Sequence, residues 1–150
     1  MLLAEALNEC AEAQRRLADL KLRIGDNARV YEDRRPAEDP QALLDQAIEV
    51  NERIRVLGLA VDAANAATRL PDGTAVTEAQ AKRDALDRRL ELVTDAANSS
   101  SGSNTSFGRP IAVLDVAALR AEAERLATQR RALDAEIQRV NWTTELTAAV

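Results

Sequence analysis

The sequence contains no histidine. That absence removes Ser-His-Asp and Cys-His catalysis, every histidine-ligated metal centre, and the Glu-x-x-His ligation of di-iron helical bundles. Cysteine is nearly absent too: Cys10 stands alone, so no disulfide forms within the chain. Its place on the apolar side of a helix reads as a small core residue, not a reactive thiol. The aromatics are one tyrosine, one phenylalanine and one tryptophan, which leaves little for stacking on bases. Two of the five glycines lie in a Ser/Gly segment with no following Lys-Ser or Lys-Thr, so no phosphate-cradling loop is encoded. Long hydrophobic runs are missing as well. The longest weakly polar stretch, Val56 to Ala67, is interrupted by Asp62 and Asn65 and is too short to span a bilayer. No basic, apolar and small-residue series of a signal peptide is visible at the start, and the expectation is a cytoplasmic protein.

What is present is a globular composition. The 150 residues are 46% apolar and 30% charged, enough for a core of one domain's size. The net charge of −5 is spread along the chain. Arginine doublets recur at Arg15–Arg16, Arg34–Arg35, Arg88–Arg89 and Arg130–Arg131, each with carboxylates nearby, and they read as solvated helix faces. A nucleic-acid binder concentrates positive charge on one face, so no nucleic-acid partner is expected.

Apolar spacing predicts four helices. Leu3, Ala6, Cys10, Ala13, Leu17, Leu20 and Ile24 make one stripe over about 2–24, which Gly25-Asp26-Asn27 should end. Asp39-Pro40, a capping carboxylate before a first-turn proline, opens a second helix over 40–67. Its stripe is Leu43, Ala47, Val50, Ile54, Leu57, Val61 and Ala64. Pro71-Asp72-Gly73 signals a turn, with Leu70 and Val76 placed to flank a minimal hairpin. Thr77-Glu78-Ala79-Gln80 reads as a capping box for a third helix over 78–97, carrying Ala79, Leu86, Leu90 and Val93. The polar segment 99–108 reads as a mobile loop. Asp115 caps a fourth helix over 116–141, where Val116, Leu119, Ala123, Leu126, Leu133, Ile137 and Val140 keep a heptad stripe broken by Arg130.

Four amphipathic helices with compact connections predict an all-α, antiparallel up-down bundle in a single domain over 1–150. At one end, Arg29–Tyr31 and Ile111–Leu114 are β-prone and could pair as a two-stranded patch. Tyr31, Phe107 and Trp142 all fall outside the helix middles, where they are expected to anchor connectors or meet other subunits.

The second helix carries more apolar surface than one bundle covers. Gly58, Ala60, Ala63, Ala64 and Ala67 would admit another helix closely, and they define a candidate homo-oligomer face. Beside it run Asn51, Arg55, Asp62 and Asn65. With Arg83 and Arg130, which occupy stripe positions on the third and fourth helices, they form a candidate polar network. Asp62 and Asp84 are available to neutralise the arginines. The network either fixes helix register or lines a pocket for a small anion. Glu5, Glu9 and Glu12 share one helix face, as do Asp45, Glu49 and Glu52. With Arg15, Arg16, Arg53 and Arg55 nearby they read as salt-bridging surfaces, with no metal or other cofactor expected.

The segment LAEALNECAEAQRRLADLKLRI, then Asn27–Ala28, PAEDP at 36–40, Asn65, TEAQAKRDAL at 77–86 and the terminal QRVNWTTEL together resemble small bacterial proteins labelled septicolysin-like. The resemblance spans nearly the whole chain. It implies a helical fold and a membrane-active, pore-forming role. The residues themselves lead to a non-catalytic protein that self-associates and acts by binding or assembly.

Overall fold

The structure, a computed structural model, describes residues 1–102, 107–108 and 110–146. It is all-α. The helices are α1 (Leu3–Asn27), α2 (Pro40–Ala67), α3 (Val76–Ser100) and α4 (Val116–Asn141). Contacts divide the chain into two compact units, Met1–Thr68 with Asn141–Val150, and Arg69–Val140. Each unit is organised by an antiparallel helix pair of the kind that builds helical bundles.

In the first unit α1 packs on α2. The pairing is antiparallel, because Glu9 meets Arg53 while Arg23 meets Glu38. Every stripe residue expected on these two helices is at least half-buried. Leu3, Ala6, Leu57 and Val61 form one core cluster, with Leu7, Cys10, Ala64 and Leu146 against it. Leu20, Leu43 and Ala47 form another, with Leu17, Ile24 and Val50. The tail after α4 returns to the start of the chain. Leu2 and Glu145 form an antiparallel bridge, Leu3 N donates to Thr144 O at 2.8 Å, and Leu146 N donates to Met1 O at 3.0 Å. The tail carbonyl of Thr144 thus satisfies one of the first N–H groups of α1, which Leu2 has no side-chain oxygen to accept. Glu5 Oε2 supplies the reverse arm, accepting from Leu2 N at 2.8 Å.

In the second unit, ion pairs set the order of α3 against α4. Arg83 meets Asp134, Arg130 meets Asp87 and Arg89 meets Glu122, so positions rise on α3 as they fall on α4. Leu70, Val76, Ala79 and Ile137 form the core cluster, with Leu133 and Val140 beside it.

Several helix ends differ from the sequence expectation. Gly25 does not stop α1, whose helical turn continues through Asn27. The Asn27 side chain donates to Arg23 O and accepts from Glu38 N, both at 2.9 Å, and this ties the last turn to the connector. Thr77 does not cap α3, because α3 begins at Val76. The hairpin explains the shift. Leu70 N donates to Thr74 O, and Arg69 and Ala75 form the bridge, each one residue earlier than the expected Leu70 and Val76. Gly73, at φ +88°, makes the turn that requires glycine. That hairpin delivers Val76 directly into the core, fully buried, so the helix starts there. The third helix also runs past Ala97 to Ser100. Ser101 Oγ bonds Ala97 O and Ser100 Oγ bonds Ala96 O, so serine hydroxyls serve carbonyls of the last turn. Of the loop expected at 99–108, residues 103–106 lie outside the described residues.

The bounds of α2 and α4 match expectation, each with its aspartate cap. Asp39 Oδ1 accepts from Gln41 N at 2.9 Å, and Asp115 Oδ1 accepts from Ala118 N at 3.0 Å. Neither Arg29–Tyr31 nor Ile111–Leu114, the segments expected to be β-prone, is a strand. Both segments are irregular backbone, and the bridges between described residues are Leu2–Glu145 and Arg69–Ala75. Neither segment alternates polar and apolar residues over a strand's length, which leaves nothing to hold a ladder in register. Among the described residues, no helix is long and apolar enough to cross a membrane.

Candidate functional site

The polar residues expected to form one network are distributed differently. On α2, Asn51, Arg55 and Asp62 face solvent. Arg55 bonds Glu52 one turn back, Nε to Oε2 at 2.9 Å, and this holds the Glu52 carboxyl below its ordinary range and raises the guanidinium. Asn65 is buried instead, at 6% exposure, and its Oδ1 has no partner among the described residues. Asn141 Oδ1 repeats this at 4% exposure, where α4 enters the tail of the same unit.

The two stripe arginines are each neutralised within their own unit. Arg83 bonds the neighbouring Asp84 at 3.0 Å and approaches Asp134 at 3.6 Å. Arg130 Nε bonds Asp87 Oδ1 at 2.9 Å. Asp62 is a partner to neither. Both arginines lie at the rim of the α3–α4 seam with their charge matched, which is the geometry of a register lock and leaves no free cation for an anion.

Of the two acidic faces, Glu9 and Glu52 form ion pairs with described residues, while Glu5 accepts from Leu2 N and Asp45 from the Gln41 amide. Glu9 accepts from Arg53 at 2.6 Å, and Glu52 is engaged by Arg55. Glu9, Glu12, Arg16 and Arg53 line a groove of about 240 Å³ between α1 and α2, where two carboxylates offset two guanidiniums.

The small-residue face of α2 divides. Ala60 is buried and Ala64 packs on the core cluster of the first unit, so these two are internal. Gly58 is half-buried, while Ala63 and Ala67 are exposed. The uncovered apolar residues of α2 are larger: Leu44 at 42% exposure, Ile48 at 60% and Leu59 at 60%. They recur at steps of four and eleven residues, so they share one outer face. Sequence reasoning found the excess apolar surface but assigned it to the alanines, because small residues admit close helix approach and periodicity alone does not rank two apolar arcs.

None of the three aromatics anchors a connector by burial. Tyr31 is 79% exposed, Trp142 is 53% exposed and the Phe107 ring is fully exposed. Each sits beyond a helix end.

The sequence singled out Arg29–Tyr31 in the α1–α2 connector as a β-prone segment, not as a cluster of arginines. The connector is pinned by Arg23, which bonds Glu38 across it and Asp19 at 3.2 Å on its own helix. The Arg23 hydrogen bond holds the Glu38 carboxyl below its ordinary range, and that carboxylate raises Arg23 in return. A cavity of about 390 Å³ lies against this connector. The Arg34–Arg35 doublet was its signal, masked by the acidic residues around it.

Comparison with known proteins places the chain without assigning it a role. Residues 10–146 match the model of a family of unknown function, DUF6847. A solved structure of a functionally unknown conserved protein from Corynebacterium diphtheriae is similar over 98% of this chain and 99% of that one, at 35% identity and a TM-score of 0.91. No curated protein matches. The resemblance to septicolysin-like proteins is therefore corrected: the motifs quoted for it fall in a helical family with no cytolysin among the matches. Short helical segments rich in Ala, Leu, Glu and Arg recur in unrelated helical proteins, which is why their order misled. The chain belongs to the DUF6847 family.

Proposed function

We propose that this protein is a non-catalytic assembly module of the cytoplasm that pairs with a second copy of itself through the outer face of α2. One observation carries the reading, the self-complementarity of that face. In an antiparallel twofold pairing centred between Arg53 and Ile54, Ile48 falls opposite Leu59 of the partner, Leu44 opposite Ala63, and Glu52 opposite Arg55. Apolar residues meet apolar residues and Glu52 meets Arg55, the condition that a twofold interface imposes on one surface, while Asp45 falls opposite Asp62 at the rim, where solvent screens the like charges. The exposed leucines and isoleucine form apolar contacts on both sides of the twofold, and the Glu52–Arg55 pair at its centre fixes the register.

Charge reversal tests this. Glu52→Arg alone and Arg55→Glu alone put like charges opposite each other across the twofold. The double exchange restores complementarity. Sedimentation velocity should show both single variants dissociated and the double variant associated. Equal association of all three would reject the α2 pairing.

A further inference from the structure

The α1–α2 connector separates its charges. Arg29, Arg34 and Arg35 all line the cavity of about 390 Å³, and Asp26 is the one carboxylate that does so. Glu32 and Asp33 lie between these arginines in sequence but outside the cavity lining. The backbone accounts for this. Arg34 N donates to Tyr31 O at 2.9 Å, closing a turn that places Glu32 and Asp33 at its tip and returns Arg34 and Arg35 to the cavity. Glu38, the next carboxylate along, is consumed by Arg23. The three arginines form no ion pair with any described carboxylate, which is also true of Arg15, Arg16, Arg88, Arg120 and Arg131; what sets Arg29, Arg34 and Arg35 apart is that all three line one hollow.

The cavity is also held in shape. Asn27, 8% exposed, joins the end of α1 to Glu38 N, and the Arg23–Glu38 pair closes the same span. A connector fixed at both ends keeps its arginines near one another without a ligand to pay the ordering entropy. Tyr31 adds an exposed ring to the wall. The hollow is open to solvent, and its lining residues other than Asn27 are exposed, so a ligand would be held at the surface by charge and not by enclosure.

We infer that this cavity binds a small phosphorylated ligand, its phosphate oxygens held by Arg29, Arg34 and Arg35 and a planar group laid against Tyr31. Guanidinium forks match phosphate oxygens two at a time, which favours phosphate over a single carboxylate. A small ligand fits better than a nucleic-acid chain, because the basic cluster is confined to one cavity of a chain with net charge −5.

Isothermal titration calorimetry of the full chain at low salt tests the inference, with ADP and pyrophosphate as probes. Saturable one-site binding of ADP is expected, with pyrophosphate competing for the same site. The double variant Arg34→Gln/Arg35→Gln should weaken ADP at least tenfold, and Tyr31→Ala should weaken ADP without weakening pyrophosphate. Arg88→Gln, exposed on α3, should change neither. All these positions are exposed, and an unchanged thermal midpoint verifies folding of each variant. No binding of either probe at millimolar concentration would overturn the inference. So would an equal loss in Arg88→Gln, or tighter binding of a single-stranded oligonucleotide than of ADP. The self-association of the chain is read separately, by mass, so failure of one reading leaves the other standing.

Discussion

Arg130 on α4 donates from Nε to Asp87 Oδ1 on α3 across 2.9 Å. The arginine interrupts an otherwise apolar heptad stripe, yet it costs the seam little because its charge is met at the rim, with 40% of its side chain exposed. A pair this accessible is screened, so its coupling should be about 0.5–1 kcal/mol. A double-mutant cycle with Arg130→Ala and Asp87→Ala in urea denaturation measures it. Arg130→Leu, which completes the stripe, should be neutral or stabilising; a loss above about 2 kcal/mol would assign the arginine a larger structural share.

The helix starts are separable by their caps. Asp39→Ala and Asp115→Ala each remove an acceptor used by first-turn N–H groups and should cost about 1 kcal/mol. Thr77→Ala should cost no more than about 0.5 kcal/mol, since Thr77 is an exposed residue inside α3. Equal losses at Thr77 and Asp115 would mean that the third helix starts later than Val76.

Acid should weaken the fold through a definable set of carboxylates. Glu38 is held low by Arg23, Glu52 by Arg55, Glu122 by Arg125, and Asp72 by the Thr74 backbone N–H. A carboxylate with a lowered folded pKa contributes its full stabilisation above its unfolded value. It loses that contribution as pH falls through the folded value. Thermal midpoints followed by circular dichroism should therefore be flat from pH 7 to pH 5 and fall below the ordinary glutamate value of 4.5. Glu38→Gln should flatten this acid limb and lower the midpoint at neutral pH. An acid limb of unchanged steepness would remove Glu38 from the set.

Asn65 and Asn141 each bury an amide oxygen without a partner among the described residues. Replacing such a group by an apolar side chain of similar size removes a desolvation penalty of about 1–3 kcal/mol. Asn65→Leu and Asn141→Leu are expected to raise the urea midpoint. Destabilisation by both would show that these amides carry hydrogen bonds essential to the first unit.

The helices were legible where pattern and cap coincide. Asp39-Pro40 and Asp115 fixed two starts because a carboxylate cap acts locally on the N–H groups just after it. The start of α3 was misread because a tertiary event, the burial of Val76 against Leu70, overrode the local capping signal at Thr77. Gly25 misled for a related reason: the Asn27 bridge to Glu38 joins residues eleven apart, which helix propensity does not encode. The excess apolar surface of α2 was visible in composition, whereas its outer arc at Leu44, Ile48 and Leu59 became visible only once α1 was seen to cover the opposite side. The connector arginines were hidden because sequence proximity to Glu32 and Asp33 looks like neutralisation, and a single turn undoes it.

The central claim is that α2 pairs with a second copy of this chain, and the mass of the native protein in solution tests it most directly. Light scattering behind a sizing column, at micromolar concentration, should return twice the 16.3 kDa chain mass, falling to the chain mass in Ile48→Glu. A native protein that elutes at the chain mass would contradict the account.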